Sequence, residues 1–293
     1  MISISQKESI RAALEAYVRR YPSQNKAVNS LKGTSAGTVS SIINGKWENI
    51  SDDMWLKLQA QIRGNGGWTL FSTAAYQGLT LYLDDARVDS SVSWITGPAG
   101  CGKSTTAAEY ARNHSNVYVL TCSGDMTKTD FVRELAAKIG IRVAGLTSRE
   151  ALQQIIRELV KKESPLLVFD EGDKLADPVL YYYVSLYNAL EDKCGMVFLS
   201  TSYMVERMRR GVSRGRKGYD ELESRICRRF VPLDLVSGDE VEGICLANGL
   251  TERSAINTVR REAQECGNDL RRVKKSVHKE LRKLAAAREI ENA

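Results

Sequence analysis

The strongest signal in this 293-residue sequence is the run Gly97-Pro98-Ala99-Gly100-Cys101-Gly102-Lys103-Ser104. It fits the pattern GxxxxGK[ST] at every required position, and it follows the apolar segment Val92–Thr96. Glycines let a backbone wrap around an anion with its N–H groups pointing inward, and the start of a helix adds partial positive charge. The sequence therefore predicts a strand, a loop that binds phosphate, and a helix that begins at Lys103.

This loop is expected to bind ATP. Lys103 is placed to reach the β- and γ-phosphates, and the Ser104 hydroxyl is placed to ligate Mg²⁺. The backbone N–H groups of the loop are expected to surround the phosphates. The expected ATP-binding residues of this region are Gly97, Pro98, Ala99, Gly100, Cys101, Gly102, Lys103, Ser104 and Thr105.

A second motif supplies two carboxylates. The apolar run Leu166-Leu167-Val168-Phe169 is followed directly by Asp170 and Glu171. Ligands of open α/β sheets bind at the carboxyl ends of the strands. We expect Asp170 to hold Mg²⁺, directly or through water, and Glu171 to orient and deprotonate the attacking water. Together with the loop, this motif predicts that the protein hydrolyses ATP.

The segments around these motifs alternate between apolar strands and helices. The expected strands are 92–96, 117–121, 166–170, 196–201 and 230–233, and helices at about 103–113, 129–139, 148–162 and 178–191 separate most of them. Such alternation is typical of a parallel sheet covered by helices on both faces. From about Ser237 the chain reads as helical again, which predicts a small helical lid.

The first 63 residues have a different pattern, with short helices separated by tight turns. Segments 24–32 and 35–43, joined by Gly33-Thr34, look like a helix-turn-helix of the λ-repressor type, whose second helix enters the major groove. Thr38 and Ser41 are candidate contacts to DNA. The second helix has no Arg to read guanine, which argues against strong sequence specificity. A plain helical docking domain is the alternative.

The clearest linker in the sequence is Gly64-Asn65-Gly66-Gly67, because glycine-rich polar runs are flexible. We therefore expect a helix-turn-helix domain at 1–63, a linker at 64–69, an ATPase core at 70–236 and a lid at 237–293. The predicted fold class is α/β, with an all-α domain at the N-terminus.

Composition excludes several other classes. Hydrophobic residues make up 43% and charged residues 27%, as in ordinary globular proteins, and no apolar run approaches the roughly 18–20 residues needed to span a bilayer. The N-terminus lacks a secretory signal, so a cytoplasmic protein without a membrane partner is expected. Six cysteines without a CxxC pair and only two histidines argue against a zinc site or a disulfide framework.

Basic residues are unevenly distributed. The formal net charge is +6, and arginines cluster at 207–217, where Arg209 and Arg210 are the main candidate contacts. Clustered positive charge suits a polyanion such as nucleic acid. A solvated loop is the alternative for any one of these residues.

From about residue 70 to the end, these motifs resemble those of AAA+ ATPases. The segment 196–202 resembles the sensor-1 strand, with Ser202 or Thr201 as its polar end. The segment 221–230 resembles the one that carries an arginine finger, which implies that Arg225, or alternatively Arg228, reaches the γ-phosphate of a neighbouring subunit. The run Gly267-Asn268-Asp269-Leu270-Arg271-Arg272 resembles the sensor-2 motif, which implies that Arg271 faces the nucleotide. The resemblance also implies a homo-oligomer with ATP at its subunit interfaces.

A helix-turn-helix followed by one AAA+ module and a small lid is similar to the transposition ATPases of the phage Mu B type. This resemblance implies an ATP-dependent, largely non-specific double-stranded-DNA-binding ATPase. Such proteins assemble as rings or helical filaments on target DNA and deliver it to a transposase. The loop after their second strand faces DNA, which implies that Thr127 and Lys128 contact phosphates here.

Three other functions remain open from the sequence. A helicase loader shares the ATPase chemistry but hands DNA to a helicase. A transcription regulator would use the helix-turn-helix to bind one operator, with the ATPase module as a nucleotide-gated switch. A metabolic nucleotide kinase also carries a phosphate-binding loop, although the candidate arginines at Arg225 and Arg271 argue against it.

Overall fold

The computed structural model describes residues 4–19, 21, 23–29, 31, 33–52, 54, 55, 58, 62, 68–225 and 230–291. The chain divides into two compact units, Met1–Leu70 and Phe71–Ala293. Residues 64–67 of the predicted linker lie outside the described residues. The division places the N-terminal helices and the phosphate-binding loop in different units.

The first unit is helical in its described part. Its helices are α1 (Ile4–Val18), α2 (Gln24–Asn29) and α3 (Ala36–Ile43). Side chains from all three pack around one small apolar core, in which Leu14, Val39 and Ile42 are fully buried. The segment from Ser51 to the end of the predicted helix-turn-helix domain lies only in part within the described residues.

The second unit is built on a parallel sheet. Its strands are β1 (Val92–Thr96), β2 (Val117–Thr121), β3 (Leu166–Asp170), β4 (Gly195–Ser200) and β5 (Phe230–Pro232). Their order across the sheet is β2-β3-β4-β1-β5, and every neighbouring pair is parallel. The predicted parallel α/β sheet is therefore confirmed, with the bounds of β4 and β5 shifted by one residue.

Helices precede the first strand, connect the strands and follow the last one. They are α4 (Ala74–Asp89), α5 (Lys103–Asn113), α6 (Lys128–Ile139), α7 (Ser148–Val160), α8 (Asp177–Leu190), α9 (Tyr203–Ser213), α10 (Tyr219–Arg225), α11 (Gly238–Ala247), α12 (Arg253–Glu265) and α13 (Leu270–Glu291). The last three form the predicted C-terminal helical segment. In the part of the chain that the structure describes, no helix is both long and apolar enough to cross a membrane.

The sequence did not predict helices α9 and α10. The buried residues of α9 are Met204, Met208 and Gly211, which lie on one face at helical spacing. Three arginines interleave with them, so the segment reads as a basic stretch rather than an amphipathic helix.

Strand β3 is apolar from Leu166 to Phe169 because both of its faces are covered. Leu167 and Phe169 pack against α6, α7 and α8 on one side, whereas Leu166 and Val168 pack against α4 and α5 on the other. Successive side chains of a strand point to opposite faces. Asp170 therefore continues the Leu166–Val168 side and points toward α5, the helix that follows the phosphate-binding loop.

The sheet order brings the candidate site together. Strands β3, β4 and β1 are neighbours, and Thr96 at the end of β1 lies opposite Ser200 at the end of β4. Carboxyl ends of parallel strands meet at one edge of the sheet. The loop after β1, the carboxylates after β3 and the polar residues after β4 therefore lie side by side.

Candidate nucleotide-binding site

The loop between β1 and α5 has the backbone that its glycines predict. Gly100 and Gly102 have φ angles of 79° and 104°, in a region that residues with a side chain rarely adopt. The Gly97 N–H donates to the Ser200 carbonyl at 3.1 Å, which fixes the start of the loop to β4. Gly97 is itself buried and a Cβ there would lie 3.1 Å from the Cys101 sulfur. The loop therefore has the tight, glycine-dependent backbone that a phosphate-binding loop needs.

Lys103 folds back over this loop. Its Nζ donates to the carbonyls of Gly97 at 2.7 Å and Pro98 at 2.9 Å, and lies 3.7 Å from the Cys101 sulfur. Pro98 and Ala99 are exposed, as are Ser104 and Thr105 at the start of α5. The Lys103 ammonium group is therefore already positioned beside the loop, where it can pair with an anion that binds there.

Ser104 and Asp170 are in contact. The Ser104 hydroxyl hydrogen-bonds to the Asp170 carboxylate, which also accepts the Glu171 backbone N–H at 3.0 Å. Burial raises the pKa of Asp170, although the two hydrogen bonds and the charge of Lys103 act to lower it. The two residues predicted from separate motifs to hold a metal are thus adjacent, with Lys103 close by.

Glu171 has an unusual backbone. Its φ of 57° and ψ of 36° lie in the left-handed region, and its carboxylate forms an ion pair with Lys174. Glu171 precedes a short 3₁₀ turn, Gly172–Lys174, of which Lys174 is the last residue. Because the chain reverses here, Glu171 does not continue the alternation of β3. The sequence did not indicate the role of Lys174.

The end of β4 supplies two polar residues. The Thr201 hydroxyl donates to the Asp173 carboxylate at 2.6 Å, which ties the end of β4 to the turn after Glu171. Ser202 is exposed and precedes α9 without capping it through its side chain. Of the two sensor-1 candidates, Thr201 is the one with a contact to the Glu171 turn.

The C-terminal helices contact the loop at the start of α13. The Leu270 N–H donates to the Gly100 carbonyl at 2.9 Å, and a side chain added at Gly100 would collide with the Asp269 carboxylate. The same carboxylate accepts the Arg271 backbone N–H at 2.8 Å, while the Arg271 side chain is exposed. Helix α13 therefore begins against the loop, which brings Arg271 near it.

Arg225 ends helix α10 and lies against α8. Its Nε donates to the Asn188 side chain at 3.0 Å, a nitrogen of its guanidinium lies 3.5 Å from a Glu221 oxygen, and its Cζ lies 5.4 Å from the centre of the Tyr187 ring. The alternative finger, Arg228, lies outside the described residues.

The candidate DNA contacts of the second unit lie on exposed surface. Thr127 caps α6 in a reciprocal capping box with Asp130, and Lys128 lies 5.4 Å from the centre of the Tyr182 ring. On α9, Arg209 pairs with Glu206 at 2.8 Å, and the Arg210 Cζ lies 5.7 Å from the centre of the Tyr203 ring. Thr127 and Lys128 thus lie at the start of α6, whereas Arg209 and Arg210 lie on α9.

The candidate contacts of the first unit are the half-buried Thr38 and Ser41 of α3. The Ser35 hydroxyl caps α3 by accepting the Thr38 N–H at 3.1 Å. The Thr38 hydroxyl lies 2.9 Å from the same oxygen. Thr38 therefore has a role in the cap besides any contact to DNA.

The pairing of Arg207 with Asp177 was not predicted from the sequence. Arg207 is only 14% exposed in its side chain and pairs with Asp177 at 2.5 Å. It belongs to the interior, not to the basic surface to which the sequence assigned it. The spacing from Met204 and Met208 is the signal that places Arg207 at the edge of the buried face of α9.

Comparison with known proteins identifies related sequences. A family model described as an AAA domain matches residues 87–208. The Mu-like prophage FluMu DNA transposition protein B of Haemophilus influenzae is 23% identical over 256 residues, covering 82% of this chain and 85% of that protein. The ATP-dependent target DNA activator B of Escherichia phage D108 is 24% identical, covering 88% of this chain and 83% of that protein.

The chain is similar in sequence to these transposition proteins over most of its length. The ATP-dependent target DNA activator B of Escherichia phage Mu itself is 27% identical over 179 residues, which cover 58% of this chain and 57% of that protein. The resemblance predicted from the motifs is confirmed by these relatives and by the AAA domain.

Proposed function

We propose that this protein is an ATP-dependent DNA-binding ATPase that oligomerises on target DNA and delivers it to a transposase. The contact between Ser104 and Asp170, beside Lys103, carries the ATP-binding part of this proposal. The transposition part is supported by the relatives, two of which are named ATP-dependent target DNA activators.

The residues present fit Mg²⁺ as well as ATP. A buried carboxylate in contact with a hydroxyl offers the hard oxygen ligands that Mg²⁺ prefers, and Asp170 and Ser104 form this pair. When bound with ATP, the ion neutralises charge on the β- and γ-phosphates. Asp170 and Ser104 would hold it.

Hydrolysis requires a water oriented toward the γ-phosphate. Lys103 is proposed to leave the loop carbonyls and bind the β- and γ-phosphates, because those oxygens are better acceptors for a charged donor. Glu171 is proposed to orient the water and take its proton. Arg271 and Ser202 are proposed to contact the nucleotide from the lid and from the end of β4, and Arg225 to reach it from a neighbouring subunit.

DNA binding is proposed to be largely non-specific. Lys128, Arg209 and Arg210 are exposed cations suited to phosphates, with the hydroxyls of Thr127, Thr38 and Ser41 as additional contacts. Weak phosphate contacts add together when many subunits line the same duplex. Oligomerisation therefore gives affinity without base recognition, and loss of the γ-phosphate would release the DNA.

The proposed activity is tested by measuring ATP hydrolysis with and without random-sequence duplex DNA. We expect the wild type to hydrolyse ATP faster with DNA, and Lys103→Ala to lose on the order of 100-fold or more in rate. Lys162→Ala is the matched control, because this exposed lysine precedes β3 at the opposite edge of the sheet. Transfer of phosphate to a small molecule in place of hydrolysis would favour a kinase and refute the proposal.

A further inference from the structure

Four side chains form a charged cluster beside the candidate site. This Asp177 cluster comprises Asp177, Arg207, Arg216 and Tyr219. One oxygen of Asp177 accepts from Arg207 at 2.5 Å and from the Tyr219 hydroxyl at 2.8 Å, and the other lies 3.0 Å from an Arg216 nitrogen. Burial acts to raise the pKa of Asp177, but these hydrogen bonds and positive charges hold it below its usual value. The carboxylate is therefore shared between two arginines.

Arg207 connects this cluster to the turn after Glu171. Its Nη1 donates to the carbonyls of Asp173 at 3.0 Å and Leu175 at 2.7 Å. The Asp173 side chain also accepts the Thr201 hydroxyl. One guanidinium thus fixes the segment that immediately follows the proposed catalytic carboxylate.

Arg216 is the exposed end of the cluster. Its side chain is 57% exposed, and its Cζ lies 5.5 Å from the centre of the Tyr219 ring. Arg216 lies in a basic loop with Arg214 and Lys217. The backbone carbonyl of Lys217 accepts a hydrogen bond from the Tyr181 hydroxyl. A DNA phosphate that reaches this loop competes with Asp177 for the Arg216 guanidinium.

We propose that Arg216 is a positioning residue through which bound DNA raises the rate of ATP hydrolysis. When a phosphate withdraws Arg216, Asp177 keeps Arg207 and the Tyr219 hydroxyl as its partners, and Arg207 becomes the one charged partner among them. The Arg207–Asp177 pair then strengthens, because one positive charge no longer competes for the carboxylate. The tighter pair holds the turn behind Glu171 in its working position. This inference rests on the proposed function of a DNA-stimulated ATPase.

The test is the ATP hydrolysis rate of Arg216→Ala without DNA and at saturating random-sequence duplex. Removing Arg216 imitates its withdrawal by DNA, so the DNA-free rate is expected to rise toward the stimulated wild-type rate. The ratio of the two rates should fall by about threefold to tenfold. Arg216→Lys, which keeps a cation near Asp177, should restore part of the ratio.

Arg214→Ala is the matched control. It removes a charge from the same loop without touching Asp177, so at saturating DNA it should keep the wild-type ratio of stimulated to DNA-free rates. The inference is overturned if the DNA-free rate of Arg216→Ala does not rise, or if DNA still stimulates this variant as it does the wild type. A wild type that DNA does not stimulate refutes the proposed function itself, a result visible without any variant.

Discussion

Glu171 combines a left-handed backbone with an ion pair to Lys174. A residue with a side chain pays on the order of 1 kcal/mol or more for that backbone, and such strain concentrates at functional sites. Asp170, one position earlier, keeps the regular strand geometry and stays buried against Ser104. Adjacent carboxylates thus have different surroundings, which suits one to a metal and the other to a water.

Glu171→Gln is expected to lower ATP hydrolysis by roughly 100-fold to 10,000-fold, because the amide does not accept a proton from water. ATP binding should persist, since Lys103 and the loop are unchanged. Hydrolysis and ATP affinity measured on the same preparation separate the two effects. Glu163→Gln, at an exposed position, is the control and should behave as the wild type; an equal rate in Glu171→Gln would remove Glu171 from the mechanism.

At the residue scale, the sequence predicted which residues lie together where their positions depend on local spacing. The loop glycines, Lys103, Ser104 and Asp170 each follow from a short motif, and the structure brings them together. Arg207 and Asp177 lie 30 positions apart, and their pairing depends on how α9 packs against α8. The spacing from Met204 and Met208 indicates that Arg207 lies at the edge of a buried face, but no local pattern identifies Asp177 as its partner.

Helix α9 packs closely because one of its residues is glycine. A side chain at Gly211 would collide with the ring of Tyr219, a buried residue whose hydroxyl belongs to the Asp177 cluster. Gly78, inside α4, has more space, since a Cβ there would lie 3.9 Å from the Leu233 side chain. A glycine-to-alanine substitution would therefore be crowded at Gly211 of α9 and accommodated at Gly78 of α4.

Gly211→Ala is expected to destabilise the second unit by about 1–3 kcal/mol, the typical cost of overpacking. That cost lowers the melting temperature by about 2–4 °C per kcal/mol in a unit of this size. Gly78→Ala should instead be neutral or stabilising by up to about 1 kcal/mol, because alanine favours helix. The measurement is the melting temperature of each variant by thermal unfolding. Equal melting temperatures for Gly211→Ala and Gly78→Ala would contradict the close packing at Gly211.

At the scale of elements, periodicity decided which segments could be predicted. The strands of the sheet are continuous apolar runs, and they were found with small errors at their ends. Helix α9 was missed because its arginines were assigned to a basic surface, and α10 was missed because it is short, Tyr219–Arg225. Helix α10 packs against α8, and α9 packs against α10; these tertiary contacts are not visible in a local pattern.

At the scale of the whole molecule, the proposed arginine finger makes ATP hydrolysis depend on assembly. Arg225→Ala lacks the finger but has an intact loop, and Lys103→Ala has the opposite defect. Mixed in equal amounts, they should recover about a quarter of the wild-type rate per subunit, since half of the subunits have an intact loop and half of their neighbours supply Arg225. A mixture no more active than its two components would place Arg225 outside the interface.

ATP-dependent assembly on DNA of any sequence is the central claim. The most direct measurement is sedimentation of the wild-type protein with two duplexes of unrelated sequence, in ATP and in ADP, with Lys103→Ala as the control. We predict that ATP produces large complexes on both duplexes, and that ADP, or Lys103→Ala in ATP, does not. Binding to one duplex alone, or equal complexes in ATP and ADP, would contradict the account, and the former would favour an operator-binding regulator.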